Sequence, residues 1–151
     1  MLKKRNYGAV GVLGIVLLVV AMSGCVSDDN SSNGSSSSNS SASQISFTNV
    51  SVTGDGYGSY TIKGDLIPTS NMDYVEMVAV WYDASGAVID QDPLSWNSNN
   101  LVSGQEYKVN GISDLYDKGT PTKVDLYFFN SPFSGGDYSS AFYKHTVNIN
   151  G

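Results

Sequence analysis

The sequence predicts an all-β protein whose folded domain follows a signal peptide and a disordered linker. From Ile45 onward, short runs of alternating apolar and polar residues are separated by turn residues at a spacing of roughly ten residues. No segment of this region has a convincing helical period. About seven strands in this pattern are typical of an immunoglobulin-like antiparallel β-sandwich, with an open barrel as the alternative. A chain of 151 residues fits one such domain, which we place at residues 45–151.

Residues 1–24 have the layout of a secretory signal peptide. Three basic residues lie within the first seven positions, and residues 8–21 are almost wholly apolar. The apolar run of about 14 residues is shorter than the ~20 residues needed to span a bilayer core. Small residues then precede Cys25, the single cysteine of the chain, which also excludes an intrachain disulfide.

The tetrapeptide Met22-Ser23-Gly24-Cys25 resembles a lipobox, the signal-peptidase site of prokaryotic lipoproteins, in which a small residue precedes a cysteine that is linked to lipid. Met22 stands where leucine is usual. A thiolate is the strongest side-chain nucleophile for such an attachment. The resemblance implies an exported protein, anchored to the cell membrane through lipid on Cys25 and facing the outside. An uncleaved signal anchor and a free or disulfide-forming thiol are the alternatives.

Residues 25–44 comprise the lipidated cysteine and a linker dominated by serine and asparagine. Such a tract cannot bury enough apolar surface to offset its ordering entropy, so we expect it to be disordered. A flexible linker of this length has a typical reach of roughly 25 Å. Sequons for N-glycosylation occur at Asn30, Asn33 and Asn39, with another at Asn49 in the first strand. Because such triplets also arise by chance in Ser/Asn-rich tracts, these four asparagines are candidates only.

The first two predicted strands alternate clearly. In "ISFTNVSV", Ile45 and Phe47 share one face, and a slip of one residue near Asn49 predicts a bulge or bend. A glycine-rich turn, "GDGYG", leads into "SYTIKGDLI", in which the apolar positions alternate with polar ones. This second strand is therefore half-buried, with a polar outer face.

The third predicted strand, "DYVEMVAVWYD", is apolar on both faces, which indicates a central position, and Trp81 is its candidate core tryptophan. Asp83 opens a hairpin loop and Gly86 accommodates a positive φ before the strand "GAVIDQD". Three further strands are predicted in "LVSGQEYKVNGI", "TKVDLYFFN" and "SAFYKHTVNI". Only "SDLYDKG" predicts a single helical or 3₁₀ turn, in the crossover before the sixth strand.

About 50 residues of this region resemble the FxLYD-type domains of prokaryotic exported proteins. These domains have a strand ending in glycine, a long strand closing on Tyr-Asp, a glycine hairpin and a later strand that starts with Gly-Gln or Gly-Glu. The matching residues are Gly64, Tyr82, Asp83, Gly86 and Gly104. The sequence departs from the pattern at Ala79, Trp81 and Ile67-Pro68. The resemblance implies an immunoglobulin-like sandwich displayed outside the membrane, and it implies no catalytic residue.

The charge of the chain argues against a nucleic-acid partner. The formal net charge is −6, and removal of residues 1–24 leaves five basic residues against 14 acidic ones, a net charge of −9. Such a surface repels phosphate backbones.

No motif predicts an enzyme, a cofactor or a metal. His145 is the single histidine and lies in an alternating strand pattern, which favours a structural role. No G-x-S-x-G elbow is present for a serine nucleophile. A weak calcium site at Asp83, Asp90 and Asp92 is an alternative, although their spacing matches no EF-hand loop.

Aromatic residues near predicted loops and strand ends are the remaining candidates for ligand binding. We single out Tyr57, Trp96 and Tyr138, because exposed aromatic rings stack on sugars and anchor protein interfaces. The sequence thus predicts a non-catalytic surface module that binds a protein or glycan partner in the cell envelope. The alternative is a spacer lipoprotein with no discrete ligand, which burial of these rings would favour.

Overall fold

A computed structural model describes residues 43–149, so the signal peptide, Cys25, most of the linker and the sequons at Asn30, Asn33 and Asn39 lie outside the described residues. Seven strands and one 3₁₀ helix are present in this part of the chain: β1 Ile45–Gly54, β2 Ser59–Pro68, β3 Met72–Tyr82, β4 Val88–Leu101, β5 Tyr107–Asp114, β6 Lys123–Phe129, the 3₁₀ helix Tyr138–Ser140 and β7 Tyr143–Asn148. Within these residues no helix is long and apolar enough to cross a membrane.

The strands form two antiparallel sheets, which confirms the predicted all-β sandwich of about seven strands. One sheet has the order β1-β2-β5 and the other β4-β3-β6-β7. In a constant-type immunoglobulin domain the fourth strand lies beside the fifth. Here β4 pairs with β3 instead, so the fourth strand belongs to the sheet that also holds β3, β6 and β7.

Apolar side chains from the inner faces of both sheets form the core, because successive residues of a strand point to opposite faces. Trp81 is fully buried, as predicted, and the Tyr60 ring packs against it at 5.1 Å between centroids. The apolar positions that alternate along β2 and β6 are buried as well: Ile62, Leu66, Val124, Leu126 and Phe128. Alternation along the sequence therefore identifies most of the core correctly.

Two local features were also predicted correctly. The pairing of β1 with β2 shifts between Thr48 and Ser51, and Asn49 lies in this bulge with a φ of 53°. The β3–β4 hairpin is closed by Asp83, whose backbone N–H donates to the carbonyl of Ala87 at 3.0 Å. Gly86 has a φ of 85° in this turn, a conformation that side chains other than glycine rarely adopt.

The predicted turn in "SDLYDKG" is shorter than expected and is not a helix. Ser113 and Asp114 still belong to β5, and the segment that follows is one turn in which Lys118 N–H donates to the Leu115 carbonyl at 3.0 Å. The single 3₁₀ helix of residues 43–149 lies instead between β6 and β7.

Strand β4 is longer than the sequence predicted, which corrects the position of Trp96. Trp96 pairs with Met77 while Asp92 pairs with Ala79, so the residues between them form a bulge. Pro93 lies there, where a strand tolerates a missing N–H. The Ser113 hydroxyl donates to Asp92 Oδ2 at 2.9 Å, which links β5 to β4 across the two sheets. Trp96 is therefore a half-buried strand residue packed against the core, not a loop residue.

The outer face of β3 is buried because the β6–β7 loop, residues 130–142, folds over it. Gly135 lies so close that a Cβ there would be 3.1 Å from Val78 Cγ2. Its carbonyl accepts a hydrogen bond from Gln91 Nε2 at 3.1 Å, and Tyr138 stacks on Tyr127 at 4.6 Å. The loop thus adds a second apolar layer outside the four-stranded sheet.

Candidate functional site

The sandwich has two ends, and the chain enters the domain at one of them. At the chain-entry end, β1 begins opposite Pro68, and the Pro68 carbonyl accepts a hydrogen bond from Gly104 N–H at 2.8 Å. At the distal end, where β1 finishes opposite Tyr60, the β1–β2 turn, the β3–β4 hairpin and the β5–β6 crossover meet. The linker therefore enters the domain at Ile45, at the chain-entry end, and the three loops lie at the opposite end.

Two exposed tyrosines, which we call the tyrosine pair, lie on adjoining turns at the distal end. Tyr57 is 84% exposed and Tyr116 is 67% exposed. The turns that carry them are joined, because Leu115 N–H donates to the Gly58 carbonyl at 2.8 Å. A Cβ on Gly58 would lie 3.1 Å from Tyr116 Cα, so glycine permits this close approach of the two backbones.

Each tyrosine of the pair follows an aspartate that fixes its backbone. Tyr57 N–H donates to Asp55 Oδ1 at 2.7 Å, and Tyr116 N–H donates to Asp114 Oδ1 at 3.0 Å. Both turns therefore have the same Asp-x-Tyr arrangement, in which a carboxylate replaces a backbone acceptor. The repeated tripeptide is the sequence signal that distinguishes Tyr116 from the other aromatic residues near loops and strand ends, and Tyr116 was not among the three singled out from the sequence.

The tyrosine pair offers large apolar rings with hydroxyl groups on a backbone that hydrogen bonds hold in place. Rings of this kind stack on sugars and act as anchors in protein interfaces. Little side-chain freedom is lost when such rings bind a partner, because each has only two rotatable angles.

The other two predicted ligand-binding aromatics lie elsewhere in the domain. Trp96 packs against the core from β4. Tyr138 is half-buried in the 3₁₀ helix, and burial raises the pKa of its hydroxyl. Tyr57, Trp96 and Tyr138 therefore do not form one patch. Their roles in ligand binding stay predictions, and only Tyr57 is fully displayed.

His145 lies on the inner side of β7, consistent with the structural role favoured by the sequence. Its ring meets the Phe47 ring edge-on at 5.6 Å, and burial lowers the pKa of the imidazole. A neutral imidazole packed against an aromatic ring contributes to the core in the same way as another aromatic side chain.

The three aspartates considered for calcium do not converge. Asp83 Oδ1 accepts hydrogen bonds from Ser85 and Ala87 within its own turn. Asp90 lies 3.5 Å from the Lys118 ammonium, and Asp92 is bound to Ser113. Among residues 43–149 no group of three His, Cys, Asp or Glu side chains is placed to hold a metal ion. The calcium alternative is thus not formed in the described domain.

A buried carboxylate, Asp125, lies on the outer face of β6. It accepts hydrogen bonds from Thr146 Oγ1 at 2.7 Å and from Lys144 Nζ at 2.9 Å. Burial raises the pKa of Asp125, but the bonds from Thr146 and Lys144 outweigh this effect, so the pKa lies below its usual value. The charge is satisfied within the sheet, and we assign this cluster to stability.

Asn49, the one sequon within the described residues, is exposed on the outer face of the three-stranded sheet. Its Nδ2 donates to Asp65 Oδ2 at 2.8 Å, and Lys108 Nζ contacts the other Asp65 oxygen at 2.8 Å. Hydrogen bonds from Asn49 and Lys108 lower the pKa of Asp65. The three side chains border a shallow cavity of about 360 Å³. Glycosylation of Asn49 stays a prediction.

Comparisons with known proteins assign no family. No family model matches the chain, and no curated protein matches it. The FxLYD resemblance therefore stays a prediction.

Three solved structures with similar regions have low identity to this chain and low TM-scores. A DUF1425 family member from Shewanella sp. pv-4 has 22% identity and a TM-score of 0.41 over 58% of this chain and 76% of that chain. A GH3 β-glucosidase from Bifidobacterium adolescentis has 10% identity and a TM-score of 0.40, covering 70% of this chain and 17% of the enzyme. β-Glucosidase 3B from Thermotoga neapolitana has 7% identity and a TM-score of 0.38, covering 71% of this chain and 16% of the enzyme. These similarities carry no assignment of activity.

Proposed function

We propose that this protein is a membrane-anchored surface lipoprotein whose non-catalytic β-sandwich binds a protein or glycan partner in the cell envelope. The observation that supports it is the position of the tyrosine pair at the distal end, opposite the start of β1. A lipid on Cys25 and the linker that follows it would hold the domain from its chain-entry end. The distal end would then be the end of the domain farther from the point of attachment.

The exposed tyrosine pair at the distal end supports a binding role more than a role as a spacer. Exposed aromatic rings on a hydrogen-bonded backbone lose little freedom when a partner binds, which favours affinity. The packed positions of Trp96 and Tyr138 favour the alternative, a spacer lipoprotein with no discrete ligand. A binding measurement at the tyrosine pair separates the two functions.

The anchor is tested by the Cys25→Ser variant expressed in a prokaryotic host. We expect the parent to partition with membranes and to carry the mass of a lipid on the cysteine. The variant should lack that mass and, if it is cleaved at the same site, should leave the membrane fraction. A variant that loses residues 1–24 and still stays with the membrane would contradict lipid anchoring through Cys25.

The distal end is tested by a Tyr57→Ala, Tyr116→Ala double variant. Removal of two interface aromatics typically costs about 1 to 2 kcal/mol each, so affinity for the partner should fall at least about thirtyfold. Protein-free envelope glycan and extracted envelope proteins, offered separately to the parent, identify the partner class. The thermal unfolding midpoint should stay close to that of the parent, because both rings are exposed.

Val102→Ala is the matched control, because Val102 is also exposed but lies at the chain-entry end. We expect this variant to bind as the parent does. Equal binding by the double variant would show that the tyrosine pair is not the site, and absence of binding by the parent would favour the spacer.

A further inference from the structure

Phe133, in the β6–β7 loop, combines two features that folding alone does not explain. Its side chain is 86% exposed, and its backbone has a φ of 59°. Pro132 precedes it, so the pair fits a turn whose third residue has a positive φ and is usually glycine. Phenylalanine at this position strains the backbone and buries almost nothing. Strained, exposed residues of this kind are concentrated at sites of recognition.

A buried carboxylate holds Phe133 in place. Glu76 of β3 has an exposure of 0%, and its Oε2 accepts the Phe133 N–H at 2.9 Å. Oε1 accepts the Ser134 N–H at 2.7 Å, and the Tyr74 hydroxyl donates to Oε2 at 2.9 Å. These hydrogen bonds hold the backbone of the β6–β7 loop against β3 at Phe133, the residue whose ring is exposed.

The loop begins at the chain-entry end of the sandwich. Asn130, its first residue, borders a cavity of about 220 Å³ together with Gln44 and Asn71. Glu76 lies in the first half of β3, the strand that starts at this end. Phe133 is therefore displayed on the half of the domain nearer to the incoming chain.

The position of Cys25 in the sequence bears on which surface the Phe133 ring could reach. Residues 26–42 separate Cys25 from Ser43, and a flexible chain of 17 residues has a typical reach of roughly 20 to 25 Å. If Cys25 carries lipid, the chain-entry half of the domain stays within reach of the bilayer surface. A tether of this length gives a weak contact a high effective concentration, and lipid anchors commonly act with a second membrane contact.

We propose that Phe133 inserts into the interfacial region of the membrane that holds the Cys25 lipid and orients the domain with its distal end outward. Apolar aromatic side chains on interfacial elements bury themselves at the boundary between head groups and acyl chains. This inference rests on the proposed lipid anchor. It adds an orientation, because a linker alone would let the tyrosine pair point in any direction.

The test uses the full lipidated chain in phosphatidylcholine vesicles with bromine atoms near the head-group end of the acyl chains. Phe133→Trp places a fluorescent probe on the loop, and Tyr57→Trp is the control at the distal end with nearly equal exposure. The fluorescence of the parent, which comes from Trp81 and Trp96, is subtracted as the background. We expect brominated lipid to reduce the added fluorescence of Phe133→Trp at least twofold and to leave that of Tyr57→Trp unchanged.

Two failures are distinguishable. If both variants sediment with the vesicles and neither added tryptophan is quenched, the membrane contact of Phe133 is overturned while the proposed anchor stands. If the chain carries no lipid mass and does not sediment, the proposed anchor is overturned and this inference with it. Thermal unfolding of Phe133→Trp at the parent midpoint would show that the substitution leaves the fold intact.

Discussion

Replacing Gly64 with alanine is expected to destabilise the sandwich by about 1 to 3 kcal/mol, the range for an extra methyl group forced into a packed core. A Cβ at this position would overlap Cε2 of Phe47 and would lie 2.6 Å from Cζ of the same ring. The Phe47 ring is buried between Phe128 at 5.0 Å and His145 at 5.6 Å, so it has little room to move. Urea unfolding followed by tryptophan fluorescence measures the loss.

Two comparisons show whether the clash with Phe47 is the cause. Gly136→Ala is the matched control, because no atom lies within 4 Å of a Cβ there, and we expect no loss of stability. In a Phe47→Leu background the smaller side chain makes room, so Gly64→Ala should cost less than in the parent. An equal cost in both backgrounds would contradict the proposed clash.

The sequence predicts features of this fold that depend on neighbouring residues. The bulge at Asn49 and the hairpin between Asp83 and Gly86 follow from local pattern and turn chemistry. The alternation of "SYTIKGDLI" identifies the inner face of β2 because a strand has a period of two. These features need no knowledge of the partner strands.

Features that depend on contacts between segments far apart in the sequence were not predicted. The polar segment around Pro93 and Trp96 has no strand pattern of its own, and it is extended because β3 pairs with it and Ser113 bonds to Asp92. Strand β3 was predicted correctly as a central strand that is apolar on both faces. The sequence could not show that the β6–β7 loop covers its outer face. Long-range contacts override local preference in both cases.

The candidate site was predicted only in part for the same reason. Tyr57 was recognised from its place in a glycine-rich turn, whereas its pairing with Tyr116 depends on the contact of two loops far apart in sequence. Glu76 was not recognised at all. A lone glutamate within the apolar "VEMVAVW" was the available signal, since a buried carboxylate requires donors from elsewhere in the chain.

Glu76→Gln is the second large effect that we expect, a destabilisation of about 2 to 3 kcal/mol. The carboxylate accepts the N–H groups of Phe133 and Ser134 on its two oxygens. An amide has only one oxygen, so its NH₂ group would face one of these donors and leave that N–H unpaired. Urea unfolding measures the stability, and hydrogen exchange at the Phe133 and Ser134 amides reports whether the loop is released.

Glu106→Gln provides the matched control, since Glu106 is exposed and its contact with Lys108 at 2.7 Å is an exposed ion pair of little energetic value. The control should retain the stability of the parent and the protection of both loop amides. A Glu76→Gln variant that behaves like this control would show that Glu76 does not hold the loop. If the loop is released, the lipid quenching of a tryptophan at position 133 should weaken although the ring is still present. Such a result would separate the rigid display of the ring from its hydrophobicity as the cause of membrane contact.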